Sequence, residues 1–276
     1  MELFMKYFGI MMPAVLFFII TITGFNCAVR AYAGSIYGLK RQAMQGNAKA
    51  ESNLGYAYEN GKGVEMNYIK AFYWYKKAAF QGEGYAERKI GDFYFFGVGI
   101  SKNINKAVYW YRKSAHTGNV VAEEGLGYCY EHGIVLSQNF ERAVYWYKKA
   151  AAQGNMSAEN NLGFDYAIGR GVPQDYSTAT YWYQKAANQG FASAESNLGN
   201  AYYYGRGVAV NYSFAFYWNN KAAMQGNAIA EDDIGYYYEY GIGVQKDYSE
   251  AVYWYKKAAA QGNVEAANNL RIMESR

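Results

Sequence analysis

Six tryptophans, Trp74, Trp110, Trp146, Trp182, Trp218 and Trp254, are all the tryptophans of this 276-residue chain, and every gap between them is 36 residues. A second marker keeps the same beat: Leu54-Gly55, Ile90-Gly91, Leu126-Gly127, Leu162-Gly163, Leu198-Gly199, Ile234-Gly235 and a final Leu270. Tyr58, Tyr94, Tyr130, Tyr166, Tyr202 and Tyr238 form a third. Three registers at one period of this size signal stacked supersecondary units, each burying its apolar face on its neighbours. The expected fold class is all-α, a solenoid of six repeats with terminal capping helices.

The interior of one period supplies the elements. Ala50, Leu54 and Tyr58 recur every four residues, one stripe on a helix over about 48–60. Gly55 sits at the edge of that stripe, where a missing side chain admits a second helix. Gly61 and Gly63 provide the left-handed backbone of a helix C-terminus. Asn67, Asn103, Asn139, Asp175, Asn211 and Asp247 then cap a second helix, whose packed stripe is expected to be Ala71, Trp74, Ala78 and Ala79. The paired bases at its end (Lys76-Lys77, Arg112-Lys113, Lys148-Lys149, Lys256-Lys257) are expected to form a solvated ridge near the negative end of the helix dipole. The partition is 34–46 as an N-terminal capping helix, repeats at 47–82, 83–118, 119–154, 155–190, 191–226 and 227–262, and 263–276 as a C-terminal capping helix.

Residues 7–29 carry no charge and end near Ala31-Tyr32-Ala33, an A-x-A pattern. This is read as a signal peptide cleaved after Ala33, with an uncleaved membrane anchor as the alternative. Both place the repeats outside the cytoplasm, secreted or periplasmic. The net charge of +4 is too weak for a nucleic-acid partner, which calls for a clustered basic face. Of the two cysteines, Cys27 and Cys129, only Cys129 survives cleavage, so no intrachain disulfide is expected then.

The pattern A-x3-L-G-x2-Y-x2-G-x-G-V-x2-[DN]-Y-x2-A-x2-W-Y-x-K-A-A-x-Q-G, carried by residues 47–276, resembles the Sel-1-like repeat, a relative of the tetratricopeptide repeat. Departures are local: Gly133-Ile134-Val135-Leu136 lacks the second loop glycine, and Thr117 replaces Gln. The resemblance implies a right-handed α/α superhelix of antiparallel helix pairs. It also implies the role of an adaptor in protein complexes, in bacteria often exported and acting at the envelope or on host proteins.

In tetratricopeptide-like arrays the first helix of each repeat lines the concave groove. The wheel turns positions 49, 52, 53, 56 and 60, in first-repeat numbering, away from the packed stripe. The candidate partner-binding residues are Tyr56, Tyr85, Arg88, Asp92, Phe96, Glu124, Tyr128, His132, Asn160, Phe164, Asn200, Tyr204, Asp232, Tyr236 and Tyr240. Aromatic anchors among amides and acids suit recognition of a protein or peptide; the plainer reading is a tyrosine-rich surface with no task. Cys129 and His132 have a spacing metals use, but His116 is the sole other histidine and a closed site needs about four ligands. No metal, no cofactor and no catalytic residue is expected. Some cysteine-rich relatives are described as β-lactamases; this chain lacks their paired cysteines and has no S-x-x-K. A cell-wall or β-lactam hydrolase is the alternative to a non-catalytic, monomeric adaptor, with membrane contact only through 7–29 if that segment is retained.

Overall fold

A computed structural model describes residues 36–275; the leader or anchor expected over 1–33 lies outside the described residues. Among the described residues all regular structure is helical. None of these helices is long and apolar enough to cross a membrane. The chain divides into two compact units between Trp110 and Tyr111.

In the first unit, a helix over 36–44 (α1) precedes α2 (Ala48–Asn60), α3 (Tyr68–Phe80), α4 (Gly84–Phe96) and the start of α5 (Ile104–His116). Ala43 of α1 packs with Ala50, Leu54 and Ala57, closing off the first pair as a cap does. In the second unit follow α6 (Val120–Glu131), α7 (Phe140–Ala152), α8 (Met156–Ile168), α9 (Tyr176–Asn188), α10 (Ala192–Tyr204), α11 (Tyr212–Met224), α12 (Ala228–Tyr240), α13 (Tyr248–Ala260) and α14 (Val264–Glu274). The even-numbered helices α2 to α12 are the first helices of the repeats, here termed A; their partners are the B helices. Each pair is antiparallel, because contacts join opposite ends. Asn67 N–H, entering α3, donates to the Tyr58 carbonyl at the end of α2, while Gln81, leaving α3, reaches Glu51 near the start of α2.

Capping follows the sequence. The side chains of Asn67, Asn103, Asn139, Asp175, Asn211 and Asp247 accept from backbone N–H groups in the first turn of their B helices. Where the third repeat lacks its second loop glycine, Val135 takes the left-handed backbone itself, φ 63°, the one non-glycine with positive φ among the described residues.

Two expectations need correction. The tryptophan is buried in four repeats, as Trp110, Trp146, Trp218 and Trp254, but Trp74 and Trp182 are only half-buried, and the next residue, as Tyr75, Tyr147 or Tyr255, lies deeper at 0% exposed. The cause is the glycine of the Leu-Gly pair. A Cβ at Gly127 would lie 2.5 Å from the Tyr147 ring, and one at Gly163 2.7 Å from the Tyr183 ring, so glycine alone lets the phenol lie against the A helix.

The lysine pairs are likewise not all ridge. The second lysine of a pair turns inward, and Lys77, Lys149 and Lys257, together with the single Lys185 and Lys221 at the same position, meet the buried Glu51, Glu123, Glu231, Glu159 and Glu195 at 2.9 to 4.0 Å. The other carboxylate oxygen accepts from Gln81, Gln153, Gln189, Gln225 or Gln261 at 2.6 to 2.7 Å. Each ammonium also lies over its repeat's tryptophan, at 4.4 Å for Lys257 on Trp254. A buried carboxylate requires a counter-charge, and this outweighs the pull of the helix dipole on the second lysine. At the longest contact, Lys149–Glu123, burial prevails and pushes the Glu123 carboxyl above its usual range.

Candidate functional site

The outward face of the A helices carries the candidate residues, sorted into three kinds by their contacts. The first kind is exposed aromatic surface. In the first unit Tyr56 and Phe96 are exposed; the Lys62 ammonium sits over the Tyr56 ring and donates to its hydroxyl at 2.9 Å. In the second unit Tyr128, Phe164, Tyr204, Tyr236 and Tyr240 are exposed. His132 lies against Tyr128 with ring centroids 4.0 Å apart, and Tyr240 against Tyr236 at 4.6 Å. Spacing of i to i+4 on one helix face produces both pairs.

The second kind is polar and already engaged. Asn197 donates to Asn160 at 2.9 Å, Asn269 to Asp232 at 3.3 Å, and Ser157 to Glu124 at 3.1 Å. The Asn160 and Glu124 bonds run between successive A helices and the Asp232 bond runs from α12 to α14, so these residues register one layer of the array on the next. In the first unit Arg88 pairs with Asp92 across one turn and covers the Tyr85 ring. Burial raises the Glu124 and Asp232 carboxyls, and it pushes Asp233, beside the Asp232 charge, up to about 7. Cys129 is buried, its thiol pushed up to about 11 by desolvation, which makes it a poor nucleophile.

The third kind lines a cleft of about 380 Å³ between α8, α9 and α10 in the second unit. Phe164, Asn200 and Tyr204 are candidates that open onto it; Ala167, Thr180, Tyr183 and Arg206 also line it and were not singled out from the sequence. Arg206 is exposed, with its guanidinium over the Tyr204 ring at 4.8 Å and the Tyr176 ring at 5.7 Å. Thr180 Oγ1 donates to the Arg206 carbonyl at 2.8 Å, holding the loop against α9. Burial drives the Tyr183 hydroxyl well above the usual tyrosine range, with Asp165 adding and Arg206 opposing. The signal that could have found Ala167 and Arg206 is the comparison of positions 59 and 62 across repeats. Those positions look like packing and loop, because they fall outside the outward stripe.

One period upstream the same place is filled. Glu131, at the end of α6, accepts from the Tyr147 hydroxyl and, at 2.5 Å, from Arg170. Arg170 also donates to Asp165 at 2.8 Å. Burial raises Asp165 to about 6 against the lowering effect of Arg170. Tyr75 and Tyr255 donate to Glu59 and Glu239 at 2.7 and 3.0 Å in the same manner. No group of three or more metal-ligating side chains occurs among the described residues. What the face offers chemically is aromatic surface, hydrogen-bond donors and one cleft.

Comparison with known proteins places this architecture. The Sel1 repeat matches at residues 48–83, 84–119, 120–155, 157–191, 192–227 and 228–263. No curated protein matches the chain. Among solved structures, the chain is similar to c5321, described as a protective antigen of uropathogenic Escherichia coli strains with an SLR fold. It is 35% identical over 87% of this chain and 51% of that one, with a TM-score of 0.79. The chain thus spans about half the length of c5321. A Sel1 repeat protein from Oxalobacter formigenes is 33% identical over 86% of this chain and 95% of that one, with a TM-score of 0.75. The likeness to yeast Tom70, 12% identical with a TM-score of 0.51 over 91% of this chain and 60% of that one, is one of fold alone. With six matched units covering most of its length, the chain belongs to the Sel1 repeat family.

Proposed function

We propose that this protein is a non-catalytic adaptor that binds a protein or peptide partner along the outward face of its A helices. The observation that carries the reading is the division of labour on that face. Asn160 and Glu124 are spent on bonds between repeats and Asp232 on a bond to α14, while Tyr128, Phe164, Tyr204, Tyr236 and Tyr240 stand exposed on helices whose opposite sides are buried. Large aromatic side chains on rigid backbone bring contact area at low entropic cost, which is how binding hot spots are built. Sel1 and tetratricopeptide-like folds commonly act as protein-interaction scaffolds, in agreement with this use. The apolar segment 7–29 and the Ala31-Tyr32-Ala33 pattern support a place outside the cytoplasm, secreted, periplasmic or anchored.

The test is capture of a partner from envelope and extracellular protein by the full chain, beside a variant carrying Tyr128→Ala, Phe164→Ala and Tyr236→Ala. Loss of the partner with unchanged helical content supports the outward face. Equal capture by both moves binding to the loops or the lysines and ends the proposal. Turnover of a β-lactam or a cell-wall fragment, abolished by a substitution on the A-helix face, would instead establish the hydrolase.

A further inference from the structure

The cleft beside Ala167 has the form of a site from which a carboxylate has been removed. In the preceding repeat the Glu131 carboxylate takes one hydrogen bond from the Tyr147 hydroxyl and one from the Arg170 guanidinium, and Arg170 has Asp165 as a second acid. Moving one period along the chain carries Tyr147 to Tyr183 and Arg170 to Arg206, so both donors are kept. The same step carries Glu131 to Ala167 and Asp165 to Ala201, so both acids are lost. Ala167, Tyr183, Ala201 and Arg206 all line the cleft. Tyr183 has no hydrogen-bond acceptor and Arg206 no carboxylate within ion-pair distance among the described residues. The Ala167 carbonyl is already engaged by Gln174, at 2.7 Å. No acidic side chain lines the cleft.

We propose that this cleft binds a carboxylate, and that its natural occupant is a glutamate side chain of the partner segment; this rests on the reading of the A-helix face as a partner-binding surface. Tyr183 and Arg206 are the two donors, in the roles that Tyr147 and Arg170 fill toward Glu131. Two fixed donors, one of them charged, recognise an anionic oxygen pair far better than a neutral amide. The stem also fits. Phe164, Ile168 and Tyr204 line the way in, matching the two methylenes of glutamate, and the side chain that fills the equivalent space upstream is itself a glutamate.

The experiment titrates the full chain with glutamate capped as its acetyl and amide derivatives, followed by NMR shifts, with identically capped glutamine as the comparison. Capped glutamate is expected to saturate, and capped glutamine to bind about tenfold more weakly or less. Arg206→Gln and Tyr183→Phe should each weaken capped glutamate by a similar factor. Ala167→Glu should abolish its binding while the protein stays folded, because the side chain supplied internally occupies the site. Absence of a saturable shift, or equal binding to wild type and Ala167→Glu, overturns the proposal. Two further outcomes separate it from the reading beneath it. A captured partner lost by the triple aromatic variant but held undiminished by Ala167→Glu keeps the A-helix face and removes the glutamate. A partner held equally by the aromatic variant removes the face, while the titration still decides whether the cleft binds a carboxylate.

Discussion

The third and fourth repeats have the same backbone plan and differ in what fills it. At the end of α6 a glutamate occupies the angle between a buried tyrosine and an arginine of the loop that follows α8. At the end of α8 an alanine stands there, and the space is a cleft. The difference teaches that in a repeat array the packed stripe fixes the architecture, and function can be introduced by subtraction. Deleting the acids leaves the fold intact, since helix pairing rests on alanine, leucine and the glycine–tyrosine contact. It also leaves two donors, Tyr183 and Arg206, lining a cleft.

Four measurements distinguish the two repeats. The largest effect is expected from Trp146→Ala in the third repeat, about 3–5 kcal/mol as a buried large-to-small change. Trp182→Ala in the fourth, where the ring is half-buried, should cost about 2 kcal/mol. Equal losses in denaturant unfolding would show that the two repeats are packed alike around their tryptophans.

Next comes the pH dependence contributed by Asp165, whose carboxyl burial raises to about 6. Its folded pKa exceeds the unfolded value near 4. The folded chain therefore holds a proton that the unfolded chain has lost, and stability falls as pH rises between those values, by about 3 kcal/mol at most. Asp165→Asn should flatten the stability profile over that window; an unchanged profile would mean that Asp165 ionises freely. Third, Glu131→Ala should cost about 2 kcal/mol, through the acceptor lost to Tyr147 and one of the two acids of Arg170. It should also open a second site for capped glutamate in the third repeat, weaker than the first because Asp165 still holds Arg170. The smallest effect is Ala167→Glu, a gain of about 1 kcal/mol from the restored hydrogen bonds. A loss instead would mean that desolvating the new carboxylate outweighs its pairing.

Much of this was legible in the sequence. Periodic tryptophans, Leu-Gly pairs and capping Asn or Asp residues report local backbone requirements that recur, so helix positions and the repeat plan follow from spacing. Depth was harder to read. Trp74 was expected in the packed stripe, yet Tyr75 takes the buried place, because which of two adjacent aromatics faces inward depends on the glycine it meets across the pair. Charge was harder still. Lys77 and Lys76 look alike in sequence, and only the buried Glu51, reached from the neighbouring helix, tells them apart. The cleft escaped notice for a related reason: alanine at position 167 is unremarked as a residue and becomes informative only beside Glu131, once the bonds of Glu131 are seen.

The buried glutamate of each A helix has a consequence for how such arrays grow and shrink. In five of the six repeats its lysine and glutamine both lie later in the same period, as Lys77 and Gln81 do for Glu51; the second repeat has Thr117 in place of the glutamine. A gene duplication or loss of one whole period therefore carries each interior acid along with its own base. The number of repeats is free to drift without stranding these glutamates, provided that the crossover does not fall between the acid and its lysine; a pair that bridges two periods, such as Glu131 with Arg170, has no such protection.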